Sequence, residues 1–205
     1  MKQQAIIFDL GGVLFDLDYS KTADAFRLLG LENFDAIYSQ AKQSGIFDAF
    51  ETGHLSAYDF RNNLRKWLPE NVNDEQIDKA WNAMLLGIRP DKLKLLENLK
   101  QRFPLFLLSN TNEIHLKEVF RMNENLHGFK DLSAFMQKQY YSCRLGLRKP
   151  DRKVFDFVLA DLSLKPEAVF FIDDSIQHVV GARAAGIKAH HLQPTESLAD
   201  LFALG

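Results

Sequence analysis

The sequence predicts an α/β fold, a doubly wound parallel sheet with a small helical cap inserted after its first strand. Three observations carry that expectation. Four short apolar runs of strand length stand out: Ala5–Phe8, Leu105–Leu108, Ala168–Ile172 and Ile187–Leu192. The first three are apolar at successive positions, the mark of strands covered on both faces. Segments of helical periodicity separate the later runs, whereas the stretch from Tyr19 to Gly87 carries helical signals and no strand pattern.

Each helix has its own local reason. Ser20 is placed to cap a helix bearing Ala23, Phe26 and Leu29, with Gly30 at its end. Ser56, with Asp59 three residues on, precedes Phe60, Leu64, Trp67 and Leu68. Asn73, with Gln76 three residues on, precedes Ile77, Trp81, Met84 and Leu85. Beyond the cap, Leu93, Leu96 and Leu99 follow Pro90, and Val154, Phe157, Val158 and Leu162 follow Pro150, a residue suited to a first helical turn. Ile176, Val179 and Val180 lead to Gly186, which is placed to end their helix. The division expected is a core of residues 1–18 and 88–205 around a cap of residues 19–87. Phe47, Phe50 and His54 fall in the cap's middle loop on this reading and could face a ligand, although packing explains them better.

The 205 residues include 25 basic and 27 acidic side chains, for a formal net charge of -2. No basic field exists to hold a nucleic acid, and no dense basic tract or long apolar span marks a membrane. The expected partner is a small molecule, and nothing in the sequence specifies an oligomeric state. Cys143 is the single cysteine, so no disulfide can form within the chain. With a leading apolar run too short for a signal peptide, a cytoplasmic location is expected.

Polar residues follow three of the four apolar runs at once: Asp9, then Ser109 with Asn110, then Asp173 with Asp174. An open parallel sheet binds ligands beyond the carboxyl ends of its strands, so these residues are expected on one rim. Asp9 precedes Gly11-Gly12, where backbone can approach a ligand, but a lone Asp there serves equally as a turn cap. Adjacent carboxylates at 173 and 174 repel unless a cation or donors hold them, and magnesium takes oxygen ligands of this kind. Ser109, Asn110 and Thr111 can donate to phosphoryl oxygens beside free amides at the next helix start; a plain N-cap reads the same way. Lys149, in Gly146-Leu147-Arg148-Lys149-Pro150-Asp151, would balance anionic charge if held at the rim and would be a solvated surface lysine if not.

Taken together and in this order, Asp9, Ser109, Lys149 and Asp173-Asp174 resemble the four signature motifs of the haloacid dehalogenase-like hydrolases, whose core is Rossmann-like. Phe8-Asp9-Leu10-Gly11-Gly12-Val13, Leu108-Ser109-Asn110-Thr111-Asn112 and Gly146 to Asp151 are most similar to the bacterial α-D-glucose-1-phosphate phosphatase branch. They are similar also to the N-terminal phosphatase domain of soluble epoxide hydrolases. The resemblance spans the chain and implies a magnesium-dependent phosphomonoesterase acting on a small phosphorylated metabolite, a sugar phosphate among the candidates. It implies that Asp9 becomes an aspartyl phosphate. It implies that Mg²⁺ is held by Asp9, the Gly11 carbonyl and Asp174, with Asp173 binding directly or through water. Ser109, Asn110, Thr111 and Lys149 would bind the phosphoryl group, and Ser109 and Lys149 would stabilise its charge in transfer.

One position departs from the family pattern. Most of its phosphatases carry a second Asp two residues after the nucleophile as general acid and base, and here Gly11 stands there. Such help is worth about 10²–10⁴-fold. Three readings follow: a leaving group that needs little protonation, a proton from Asp16, Asp18 or a cap residue, or a non-catalytic module that binds a phosphometabolite or a protein partner. Haloacid dehalogenases also lack that Asp but need no magnesium, which would leave Asp173-Asp174 without a purpose.

Overall fold

The apolar runs become strands in the computed structural model, which describes residues 5–43 and 45–203. Ala5–Phe8 (β1) leads into a short strand, Phe15–Leu17 (β2). Five helices follow: Tyr19–Leu28 (α1), Phe34–Gln43 (α2), Ile46–Glu51 (α3), Ala57–Arg65 (α4) and Asp74–Asn82 (α5). The chain returns through Leu85–Ile88 (β3), Pro90–Leu99 (α6), Leu105–Ser109 (β4) and Glu113–His127 (α7). Lys138–Tyr141 (β5), Ser142–Leu145 (α8), Arg152–Leu162 (α9), Val169–Asp173 (β6), Ile176–Ala184 (α10), Lys188–His191 (β7) and Asp200–Ala203 (α11) complete it.

The five-stranded sheet runs β5-β4-β1-β6-β7, and every pair in it is parallel. Period-two geometry sorts its side chains between two cores. Ile6, Phe8, Leu105 and Leu107 pack on one face with Leu96 and Leu99 of α6 and Leu116 and Val119 of α7. Ala5, Ile7, Phe106, Leu108 and Phe171 pack on the other with Val154, Phe155 and Val158 of α9 and Val179 of α10. Continuous apolarity in the sequence thus reflects two covered faces. A third core joins Phe26, Phe47, Phe50, Phe60, Ile77 and Trp81 from helices α1 to α5, and Ile114 of α7 is the core-side residue that enters it.

Several elements differ from the sequence reading. The region expected to be helical through Gly87 ends in β3, which pairs antiparallel with β2, so the inserted helices hang from a two-stranded ribbon. Asp18 rather than Ser20 caps α1, accepting from the Ser20 N–H at 3.0 Å, because Asp18 is the residue still in extended backbone. Phe47 and Phe50 lie on α3 rather than in a loop, and His54 follows it. Pro150 sits outside α9 after a cis Lys149–Pro150 bond, and Asp151 caps that helix in its place. The edge strand β5, Lys-Gln-Tyr-Tyr, shows no apolar run because only one of its sides is paired, and Lys138 is exposed. The caps at Ser56 and Asn73 form as expected, the latter as a full capping box. No helix among the described residues is long and apolar enough to cross a membrane.

Candidate active site

Register brings the motif residues together. β1 lies between β4 and β6, with Phe8 opposite Leu107 on one side and Ile172 on the other. Asp9 therefore emerges beside Ser109 and Asp173 at the carboxyl rim, and its N–H donates to the Ile172 carbonyl at 2.9 Å. The connections diverge here, with β4 and β5 to one side and β6 and β7 to the other, so the rim at β1 is the switch point where open sheets bind ligands.

Lys149 is the centre of the cluster. It is wholly buried, and its Nζ lies 2.9 Å from Asp9 Oδ1 and 2.7 Å from Asp173 Oδ2. Burial alone would lower its pKa, but Asp9 and Asp173 together hold it above the ordinary lysine value. The surface-lysine alternative is thereby excluded. Its backbone is fixed by Asn110, whose amide nitrogen donates to the Lys149 carbonyl at 2.8 Å and whose oxygen accepts from the Lys149 N–H at 2.9 Å. Asn110 thus spends its side chain on the lysine loop. Thr111 lines the cavity beside the rim, but its backbone is engaged. Its N–H is taken by Ser142 Oγ at 2.9 Å, and that hydroxyl donates back to the Thr111 carbonyl at 3.0 Å, so this amide is not free for a ligand. Ser109 is buried, and its hydroxyl has only a long 3.5 Å contact, to the Asn110 carbonyl.

Asp173 is fully engaged. Besides Lys149 it accepts from the Ser175 N–H at 2.8 Å and faces His178 Nδ1 at 3.0 Å. His178 was not singled out in the sequence; only its place in the first turn of α10, five residues past Asp173, hinted that it looks back at the rim. The ligand atoms of Asp9, Asp173 and His178 lie within 4.8 Å of one another. Asp174 packs its carboxylate over Gly12, whose φ of +73° and missing Cβ leave the room.

This cluster carries more negative than positive charge. Burial pushes the Asp9 carboxyl up to about 8 against the pull of Lys149, and the charges of Asp173 and Asp174 push the same way. Burial and the neighbouring Asp173 also raise Asp174, whereas Asp173, despite burial, is lowered to about 2 by Lys149 and His178. One lysine does not balance three carboxylates. The shortfall and the carboxylate oxygens gathered at this rim fit a hard divalent cation, which would restore the charged form of Asp9.

Above the rim lies a cavity of about 130 Å³. Gly11, Ser109 and Asn110 line its floor, and the inserted helices supply Tyr19, Tyr38, Phe47, Glu51 and Trp81. Trp81 stacks on His115 at 5.1 Å, and His115 bonds to Asn82 and is pushed down to about 3 by burial, so it is neutral. Of the three cap residues singled out in the sequence, Phe47 lines the cavity; Phe50 is in the core beneath, and His54 is exposed against Thr52. The two candidate proton donors near Gly11 are engaged elsewhere. Asp16 pairs with Lys92 at 2.6 Å and Asp18 caps α1. Cys143 stays a thiol, raised to about 12 chiefly by burial.

Residues 3–186 match the family model described as haloacid dehalogenase-like hydrolase. The chain belongs to that hydrolase family. Within it, the D-ribitol-5-phosphate phosphatase of Bacteroides thetaiotaomicron is 33% identical over 85% of this chain and 84% of its own length. A HAD family enzyme of the same organism, crystallised as the wild-type protein with magnesium and inorganic phosphate, superposes with a TM-score of 0.89 at 34% identity, covering 98% of this chain and 99% of that one. A sesquiterpene phosphatase of Aspergillus oryzae is 26% identical over 98% of this chain and 94% of its own. The family implied by the four motifs is therefore the family found.

Proposed function

We propose that this hydrolase is a magnesium-dependent phosphomonoesterase that acts on a small phosphorylated metabolite, a sugar or polyol phosphate, through an aspartyl phosphate on Asp9. The observation that carries the reading is a buried carboxylate at the sheet's switch point, braced by a buried lysine, beside Gly11 and Ser109, which line a small cavity. In this reading residues 1–18 and 88–205 are the catalytic core and residues 19–87 the cap that selects the leaving group. The cavity is small against ordinary ligand pockets, and Tyr19 and Tyr38 offer hydroxyl partners among its apolar walls. That mixture favours a short polyhydroxylated chain over a terpene, in keeping with the ribitol phosphate relative.

Asp9 attacks phosphorus, the ester P–O bond breaks, and the alcohol departs; water then cleaves the acyl phosphate. Ser109 donates its free hydroxyl to a phosphoryl oxygen. Lys149 neutralises that group while keeping Asp9 aimed, and Asn110 and Thr111 hold the loops that carry these two residues. Magnesium, held by Asp9, Asp174 and the Gly11 carbonyl with Asp173 behind them, would lessen the repulsion between Asp9 and the phosphate dianion. A cytoplasmic setting suits the lone reduced thiol.

The test is inorganic phosphate release from a panel of sugar and polyol phosphates with Mg²⁺, with EDTA, and in Asp9→Asn. Turnover by the native chain that falls to background in both controls is expected. No turnover of any ester would leave a binding module instead, and halide release from 2-haloacids would make it a dehalogenase.

A further inference from the structure

We propose that Glu51 is the proton donor and acceptor that position 11 does not supply. The inference rests on the phosphatase reading above and names the missing partner in it. Phosphoryl transfer places attacking and leaving oxygens in line on opposite sides of phosphorus. Gly11, two residues past Asp9, lines one side of the cavity with Ser109, and the inserted helices line the other, so a leaving oxygen in line with Asp9 departs toward those helices. Among the described residues, the titratable side chains lining that cavity are Tyr19, Tyr38, Glu51 and His115. Burial holds Tyr19 up to about 12 and raises Tyr38 as well, so neither gives a proton readily near neutrality. His115 is neutral, stacked on Trp81 and bonded to Asn82. Glu51 is left.

Its surroundings suit the task. Glu51 ends α3, and its Oε2 is buried with no aligned hydrogen bond, although Arg148 Nη2 stands 2.9 Å away in an ion pair. Asp48, one turn back on the same helix, shares Arg148. From the core side Lys149 and His178 add weaker positive fields, and Tyr38 of α2 and Tyr19 of α1 stand near it. Burial outweighs Arg148 and raises the Glu51 carboxyl, which keeps its proton closer to neutrality than a surface glutamate would.

In the first step the Glu51 carboxyl gives its proton to the leaving oxygen as the ester P–O bond breaks and the Asp9–P bond forms. In the second, the Glu51 carboxylate takes a proton from water as its oxygen attacks phosphorus. Inorganic phosphate leaves, and the Asp9 carboxylate and Glu51 carboxyl are restored.

The experiment compares kcat and KM of native protein and Glu51→Gln on p-nitrophenyl phosphate, whose leaving group needs no proton, and on a polyol phosphate. Expected is a fall of about 10²–10⁴-fold in kcat and kcat/KM on the polyol ester. The kcat/KM profile on that ester also loses its high-pH limb. The kcat/KM on the aryl ester stays within a few-fold, and Glu51→Asp recovers part of the loss. An equal fall in kcat/KM on both substrates, a rise in KM alone, or no change would each overturn the assignment. Native protein inactive on both substrates would instead strike down the phosphatase reading.

Discussion

Replacing Lys149 by methionine keeps the length of the side chain and removes its charge from a place that water does not reach. Lys149 and Asp173 are both 0% exposed and 2.7 Å apart. The loss therefore falls in the full range for breaking a buried pair, about 3–5 kcal/mol. Asp9 adds little to that figure, since its carboxyl already sits at about 8 and can take up a proton. For a chain of this size each kcal/mol shifts Tm by about 2–4 °C, so a fall of about 6–20 °C is expected in thermal unfolding followed by circular dichroism. The pH dependence has a definite sign. In the native chain Asp173 is depressed to about 2, so its contribution is present above its unfolded value of 3.8 and is lost only as pH falls toward 2. Without the lysine its folded value rises above the unfolded one, and the penalty for ionising it grows as pH rises. The gap between variant and native protein should therefore be wider at pH 8 than at pH 5. A Tm within 3 °C of native at both pH values would refute the account of Lys149 as the buried counter-charge.

Two more outcomes follow from the same geometry. Gly12→Ala forces a side chain into left-handed backbone, at about 1–2 kcal/mol, and drives its Cβ into the Asp174 carboxylate. Isothermal titration should show weakened Mg²⁺ binding, whereas Gly11→Ala, opposed only by the end of the Leu17 side chain, should keep it. Asn110→Ala removes both hydrogen bonds to the Lys149 backbone; denaturant unfolding should fall by roughly 1–3 kcal/mol and kcat should drop more than KM rises.

How much of this was legible in the sequence divides along physical lines. The strands of the central sheet announce themselves because burial on both faces demands unbroken apolarity, as at Ala5–Phe8 and Leu105–Leu108. The motif carboxylates could be placed because a parallel sheet sends every strand end to one rim. What depends on an edge or a single contact was not legible. β5 pairs on one side only and reads as polar, and β2 and β3 are too short to show a period. His178 and Glu51 reach the rim from α10 and α3, and their distances to it are fixed by helix packing that no spacing encodes. That the Thr111 amide is taken was not legible either, since Ser142, which accepts from it, lies 31 residues away.

The ribbon of β2 and β3 carries a consequence beyond positioning. The Asp18 N–H meets the Met84 carbonyl at 2.9 Å, so the chain leaves for its excursion and returns at neighbouring points. The residues between those points thus enter and leave the core through one narrow neck, with further ties where Arg148 meets Asp48 and Glu51. A lineage built on this plan can therefore reshape what it recognises beyond that neck, provided that the carboxylate α3 contributes is kept or replaced.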